Sequence, residues 1–191
     1  MKRALTLLAV SALLPVALPS AAQAAPDHPK SVVVNTNLGT MVWELDRRRA
    51  PLTVANFLAY TKERHYDGTI FHRVIKDFVV QGGGHTPDMT EKPARRTVRS
   101  EADNGLKNTR LSLAMAREAH PDSAGAQFYL NTVDNPRLDY PKPDGHGYTV
   151  FGRVVHGAEV VDRIARVSTE TRGEYQNVPV KSVVIRFIRV I

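Results

Sequence analysis

Apolar and polar positions change period several times along this chain. In residues 40–45, Met41, Trp43 and Leu45 alternate with Val42 and Glu44, the two-residue repeat of a strand with one face in a core. Residues 31–36 are a second β-rich run. Asn37-Leu38-Gly39 between them predicts a short hairpin loop, with Gly39 free to take positive φ. After Pro51, which suits a first helical turn, the repeat lengthens: Val54, Phe57, Leu58 and Thr61 predict a helix that ends before the Asp67-Gly68 turn. Strand-like runs follow at 69–75, 78–81, 111–115, 127–131 and 148–154. Val160, Val161, Ile164 and Val167 predict a second amphipathic helix, and 183–188 a last strand.

Two stretches lack either period. Residues 84–110 hold little apolar content, and 132–147 are rich in Pro, Asp and Gly. Loops of this length are usually functional when ordered, so both are expected to border a site. Many short strands with two helices predict a mainly β protein, a barrel or a sandwich with helices at its ends. There is no internal repeat.

The first residues stand apart from this pattern. Met1-Lys2-Arg3 is basic, 4–17 is almost wholly apolar, and Ala22-Gln23-Ala24 fits a small-residue cleavage site. These are the parts of a secretory signal peptide. The expected organisation is a cleaved signal at 1–24, a leader at 25–30 and one domain at 31–191. The apolar run is short for a membrane span and is interrupted by Pro15 and Pro19. A soluble product in a bacterial periplasm is expected, with secretion as the alternative and no membrane attachment after cleavage.

Composition narrows the chemistry. The absence of cysteine excludes thiol nucleophiles, thiolate metal sites and disulfides. The net charge of +7 falls to +5 when Lys2 and Arg3 leave with the signal. Arg47-Arg48-Arg49 and Arg95-Arg96 with Arg99 read as a solvated basic surface interrupted by acids, not as a nucleic-acid interface.

The segment 69–84, TIFHRVIKDFVVQGGG, sets a question. Arg73 interrupts an otherwise apolar strand, and a guanidinium is costly to bury. It could pair with an acid, as buried charges usually do. Strand parity puts Phe71, Arg73 and Ile75 on one face and His72 and Val74 on the other. The same parity aligns Val79 with Gln81 and Gln127 with Tyr129. Neighbouring strands could then present Arg73, Val79, Gln81, Gln127 and Tyr129 together. One permanent cation and two amides among apolar walls suit a neutral, amide-containing ligand better than a phosphate. His72 is expected to be a satisfied core or rim histidine. A His72–His85 metal pair lacks suitable spacing and carboxylate support. Gly82-Gly83-Gly84 lacks the Lys-Ser/Thr of a phosphate loop and reads as a turn. Phe71, Phe128 and Trp43 are expected in the core.

Phe71-His72-Arg73-Val74-Ile75, followed by Phe78 and Gln81-Gly82-Gly83, resembles the signature of the cyclophilins, peptidyl-prolyl cis-trans isomerases. Leu113 to Arg117, Ala126 to Leu130 and Val150 to Val154 resemble further family segments, in order, from about Ser31 to the end. Glu101 to Leu106 and Tyr175 to Pro179 are similar to the bacterial periplasmic branch. The resemblance implies a closed eight-stranded antiparallel β-barrel capped by two α-helices, with the substrate groove outside the barrel.

It also implies roles. Arg73 would donate to the prolyl nitrogen as the bond twists, and Gln81 would hold the substrate carbonyl or orient Arg73. Phe78, Val79, Tyr129 and Leu138 would wall the proline pocket, and Tyr148 would close its edge. Ala116, Arg117 and Gln127 would line the peptide backbone. Substrates would be proline-containing polypeptides, with no cofactor, metal or nucleic acid and a monomeric enzyme. Against the better-known eukaryotic pattern, Val79 replaces Met, Tyr129 replaces Phe, Tyr148 replaces His, Arg117 replaces Asn, and Arg137 falls where Trp is frequent. The last change implies weak cyclosporin binding. The competing reading is a proline-peptide-binding chaperone or scaffold with incidental turnover.

Overall fold

A computed structural model describes residues 30–191. The expected signal peptide and cleavage site, and all of the expected leader but Lys30, lie outside the described residues. Lys30, the last residue of the expected leader, is the first residue of the first strand.

β1 (Lys30–Thr36) and β2 (Gly39–Leu45) form a hairpin closed by Asn37-Leu38, with Thr36 opposite Gly39. Gly39 has φ +135°, and a Cβ there would lie 2.9 Å from Val160 and Arg163 side-chain atoms, so the hairpin end needs glycine to pass under the second helix. Met41, Trp43 and Leu45 are fully buried, as the alternation predicts.

α1 (Pro51–Lys62) starts with proline in its first turn. Its free N–H groups are capped from a distance: Glu101 accepts from Leu52 N at 3.0 Å and Thr53 N at 2.8 Å. α1 turns Val54 and Phe57 into the barrel. The Phe57 ring lies 6.2 Å from Trp43, 6.0 Å from Phe128 and 5.3 Å from Phe151, so it plugs one end of the core. Truncating a side chain so placed typically costs about 3–5 kcal/mol. α2 (Ala158–Ala165) buries Val160, Val161 and Ile164 in the same core.

The remaining strands are β3 (Ile70–Phe71), β4 (Arg73–Ile75), β5 (Val79–Gly82), β6 (Ser112–Met115), β7 (Phe128–Asn131), β8 (Val150–His156), β9 (Thr169–Arg172), β10 (Tyr175–Pro179) and β11 (Val183–Val190). The main sheet runs β3-β11-β1-β2-β8-β6-β7-β5-β4 and is antiparallel throughout. Its two edges, β3 and β4, are one stretch of chain broken at His72. The sheet therefore curls into a barrel of eight strands, one of them in two pieces. At the seam, Ile70 N donates to His85 O at 2.9 Å and Gly83 N to Ile70 O at 3.3 Å.

The break corrects the parity of the sequence reading. Phe71 and Val74 both lie in the barrel core. Uninterrupted alternation cannot put both inside; the irregular His72 shifts the phase by one residue and leaves Arg73 outward. Phe71 and Arg73 thus do not share a face. β9 and β10, a separate two-stranded sheet, were not expected. Thr-Glu-Thr-Arg carries no apolar alternation to betray a strand. Among the described residues no helix is long and apolar enough to cross a membrane.

Candidate active site

Register lines up one row of side chains across the outer wall. Arg73 is paired with Gln81, Gln81 with Tyr129, and Tyr129 with Ala114. Arg73 Nη1 donates to Gln81 Oε1 at 3.3 Å, and Gln81 Nε2 donates to Gln127 Oε1 at 3.0 Å. Among the described residues no carboxylate lies within ion-pair distance of Arg73. The alternative of a structural arginine neutralised by an acid therefore fails. The cation is half-exposed and held in place by an amide that leaves its charge intact.

Gln127 lies flat because residue 84 is glycine: a Cβ there would stand 2.5 Å from its Cγ and Cδ. Gln81, Ala116, Arg117 and Gln127 line a groove of about 220 Å³, with Ala94 and Gly125 on its far side. Expected backbone-lining residues and the Arg73 partner thus meet along one trough.

Beside this row is a second apolar cluster, separate from the barrel interior. It consists of Val79, Ala114, Tyr129, Leu138 and Val150, with Phe78, Leu106, Ala116 and Tyr148 packed against it. All five expected pocket residues are gathered here. Ala114, Val150 and Leu106 were missed. Parity would have found Ala114, two positions before Ala116 on the same strand face; Leu106 sits in a loop whose path no periodicity reveals.

Buried amides hold this cluster from beneath. Tyr129 Oη donates to Asn108 Oδ1 at 2.8 Å, and burial raises its phenol well above the ordinary value. Asn131 Nδ2 reaches Asn108 Oδ1 at 3.2 Å and Ser112 Oγ at 2.9 Å. Asn135 Nδ2 donates to Asn131 Oδ1 at 2.7 Å and to Phe78 O at 3.0 Å. These three asparagines, unremarked in the sequence, tie the pocket wall to the loop after β7.

Two arginines cap the rim. The Arg137 guanidinium lies 4.5 Å above the Phe78 ring, and that of Arg117 lies 4.5 Å above Tyr148. Arg117 is locked in place. Its Nε and Nη2 donate to Gly147 O at 3.0 and 2.9 Å, and Nη2 also binds Asp144 Oδ2 at 2.6 Å. The hydrogen bond from Arg117 pulls the Asp144 carboxyl down to about 2. Arg117 therefore ties the loop bearing Tyr148 to the end of β6 while lining the groove.

His72 is buried, as expected, but not satisfied: its Nδ1 and that of His85 lack partners. Their rings are 4.4 Å apart, and Tyr175 of β10 lies 5.3 Å from His85. Burial, with His85 and Arg73 nearby, depresses His72 to about 3, so it is neutral and unsuited to act as a base near neutral pH.

A family model described as cyclophilin type peptidyl-prolyl cis-trans isomerase/CLD matches residues 31–190. The peptidyl-prolyl cis-trans isomerase cyp18 of Streptomyces antibioticus is 50% identical over 163 residues, covering 84% of this chain and 98% of its own. Peptidyl-prolyl cis-trans isomerase B of Escherichia coli is 47% identical over 161 residues, covering 83% of this chain and 98% of its own. A cyclophilin-type isomerase of Cryptosporidium parvum, solved in the presence of the dipeptide Ala-Pro, superposes with TM-score 0.73. It is 28% identical, and the match covers 84% of this chain and 98% of that one.

Proposed function

The chain belongs to the cyclophilin-type peptidyl-prolyl cis-trans isomerases and is an enzyme of that activity; we propose that Arg73 lowers its rotational barrier and that exported polypeptides are its substrates. Rotation about a peptide C–N bond costs about 18–20 kcal/mol because conjugation is lost. In the twisted state the prolyl nitrogen becomes pyramidal and regains a lone pair. A donor aimed there binds the twisted amide better than the planar one, and that difference is catalysis. Arg73 suits the task because it is always charged and only donates. No nucleophile or metal is required, since no σ-bond forms or breaks.

The carrying observation is an arginine bonded to Gln81 rather than to a carboxylate, beside an apolar cluster on the outer wall of the barrel. Phe78, Val79, Tyr129 and Leu138 would take the ring, with Tyr148 at its edge, and Ala116, Arg117 and Gln127 would take the extended backbone. Apolar walls exclude water and strengthen the hydrogen bond to the nitrogen. Binding of proline-containing peptides is supported by the Ala-Pro dipeptide used with the Cryptosporidium relative. Isomerisation of a short X-Pro peptide tests the assignment. Arg73→Ala should lose about a hundredfold or more in kcat/KM while peptide affinity changes a few-fold. An alanine variant as fast as the parent overturns it.

The basic, apolar and small-residue segments of 1–24 support export and a periplasmic enzyme acting on folding clients. Cell fractionation with sequencing of the mature N-terminus tests the export. Cyclosporin should bind weakly, since Arg137 replaces a planar indole at the rim; nanomolar inhibition would contradict this.

A further inference from the structure

A pocket of about 500 Å³ opens beside the second apolar cluster, between the β2–α1 turn, residues 106–112 and β8. Its size is that of a small-molecule site. Leu106 and Val150 line it and also belong to the apolar cluster beside Arg73's row, so the pocket borders that cluster. Arg73, Gln81 and Tyr129 do not line it.

Its charge is unbalanced. Arg47, Arg48, Arg49, Lys107 and Arg153 reach it against two carboxylates, Glu44 and Asp46. Both carboxylates are already occupied. Asp46 Oδ2 holds Arg49 Nε at 2.7 Å, and Glu44 Oε1 holds Arg153 Nη2 at 3.0 Å. Among the described residues the Arg47 and Arg48 side chains make no hydrogen bond or ion pair, and Lys107 only approaches Asp139 at 3.9 Å. Three cations carried on two separate segments thus remain at a pocket whose wall includes Leu106 and Val150. The helix N-terminus contributes nothing, because Glu101 already occupies it.

One guanidinium fork can serve one planar carboxylate. Cations arriving from separate segments are better matched by a tetrahedral group with several charged oxygens. We propose that this pocket binds a small soluble ligand carrying a multiply charged phosphate group, independently of the peptide groove. The site explains why the arginine run at 47–49 is set beside a concave wall rather than spread over a convex surface.

Calorimetric titration of the purified protein with inorganic tripolyphosphate tests this. One saturable site of micromolar affinity is expected, weakening as salt rises. Arg47→Ser/Arg48→Ser should weaken binding about tenfold or more while short-peptide isomerisation continues at the parent rate. Arg95→Ser/Arg99→Ser, which removes equal charge from outside the pocket, should leave binding unchanged. Absence of saturation, equal losses in the two double variants, or equally tight binding of citrate would each overturn the proposal.

Discussion

Arg73 and Gln81 face one another on paired strands, and the arginine donates to the glutamine side-chain oxygen at 3.3 Å. The glutamine passes its own N–H to Gln127 at 3.0 Å, so a chain of neutral amides aims the cation. A carboxylate in the same place would hold the arginine more tightly and drain its charge. The amide positions the arginine and leaves its charge uncompensated.

Gln81→Glu therefore separates aiming from charge. The carboxylate would pair with Arg73 and weaken its interaction with the twisted nitrogen. The expected outcome is a fall in kcat of about tenfold or more with little change in melting temperature. Gln81→Ala should lose less, since Arg73 stays charged but less fixed. Steady-state kinetics on one X-Pro peptide ranks the two.

Gly84→Ala tests the flat placement of Gln127. The added methyl would meet Gln127 at 2.5 Å, and a flexible side chain can move aside. The protein should fold, with a several-fold rise in KM and a melting temperature near the parent value. A variant with unchanged KM would show that Gln127 does not shape the groove.

Tyr129 and Asn108 make a buried bond at 2.8 Å. Tyr129→Phe removes a donor from an acceptor that Asn131 still serves, so the cost should be about 1 kcal/mol. Asn108→Ala strands the tyrosine hydroxyl and leaves Asn131 Nδ2 only Ser112 as a partner, and should cost about 1–3 kcal/mol. Urea unfolding of both variants checks the order.

The Asp144 carboxyl, pulled to about 2 from 3.8 chiefly by the Arg117 hydrogen bond, titrates below its unfolded value. Its stabilising contribution is therefore present above pH 3.8 and is lost as pH falls toward 2. Carboxyl NMR titration should place Asp144 below the exposed acids, and Arg117→Ala should return it to the ordinary range.

His72 works in the opposite chemical sense. Folded, it is held at about 3; unfolded, it takes a proton near 6.5. Between these values the unfolded chain binds more protons, so stability falls as pH drops below 6.5 and the loss is complete near 3. The full effect is on the order of a few kcal/mol. Denaturation midpoints from pH 7 to 4 should slope downward, and His72→Gln should flatten the slope.

Periodicity exposed what repeats. Met41, Trp43 and Leu45 were legible as one face of a strand, and Val54 and Phe57 as one face of a helix, because burial acts on every second or every third to fourth residue. The Arg73 row was legible through its motif, and its outward direction was not. That direction depends on a single irregular residue, His72, at the junction of β3 and β4. Asn108, Asn131 and Asn135 escaped for another reason: a polar residue in a loop looks alike whether it meets water or a buried tyrosine. The β9–β10 hairpin escaped because backbone pairing, not an apolar stripe, defines it.

The junction at His72 has a consequence for how the enzyme becomes competent. Both margins of the sheet come from residues 70–75, so the cylinder is sealed only when β11 has zipped onto one half of this segment and β5 onto the other. β11 comes last in the order of the strands, so until it is made one margin has no neighbour. Only His72 separates Arg73 from that unfinished margin, although β5 can already pair with Arg73 itself. Turnover should thus arrive with the C-terminal strand, making the enzyme silent on its own nascent form and active only once the circle is complete.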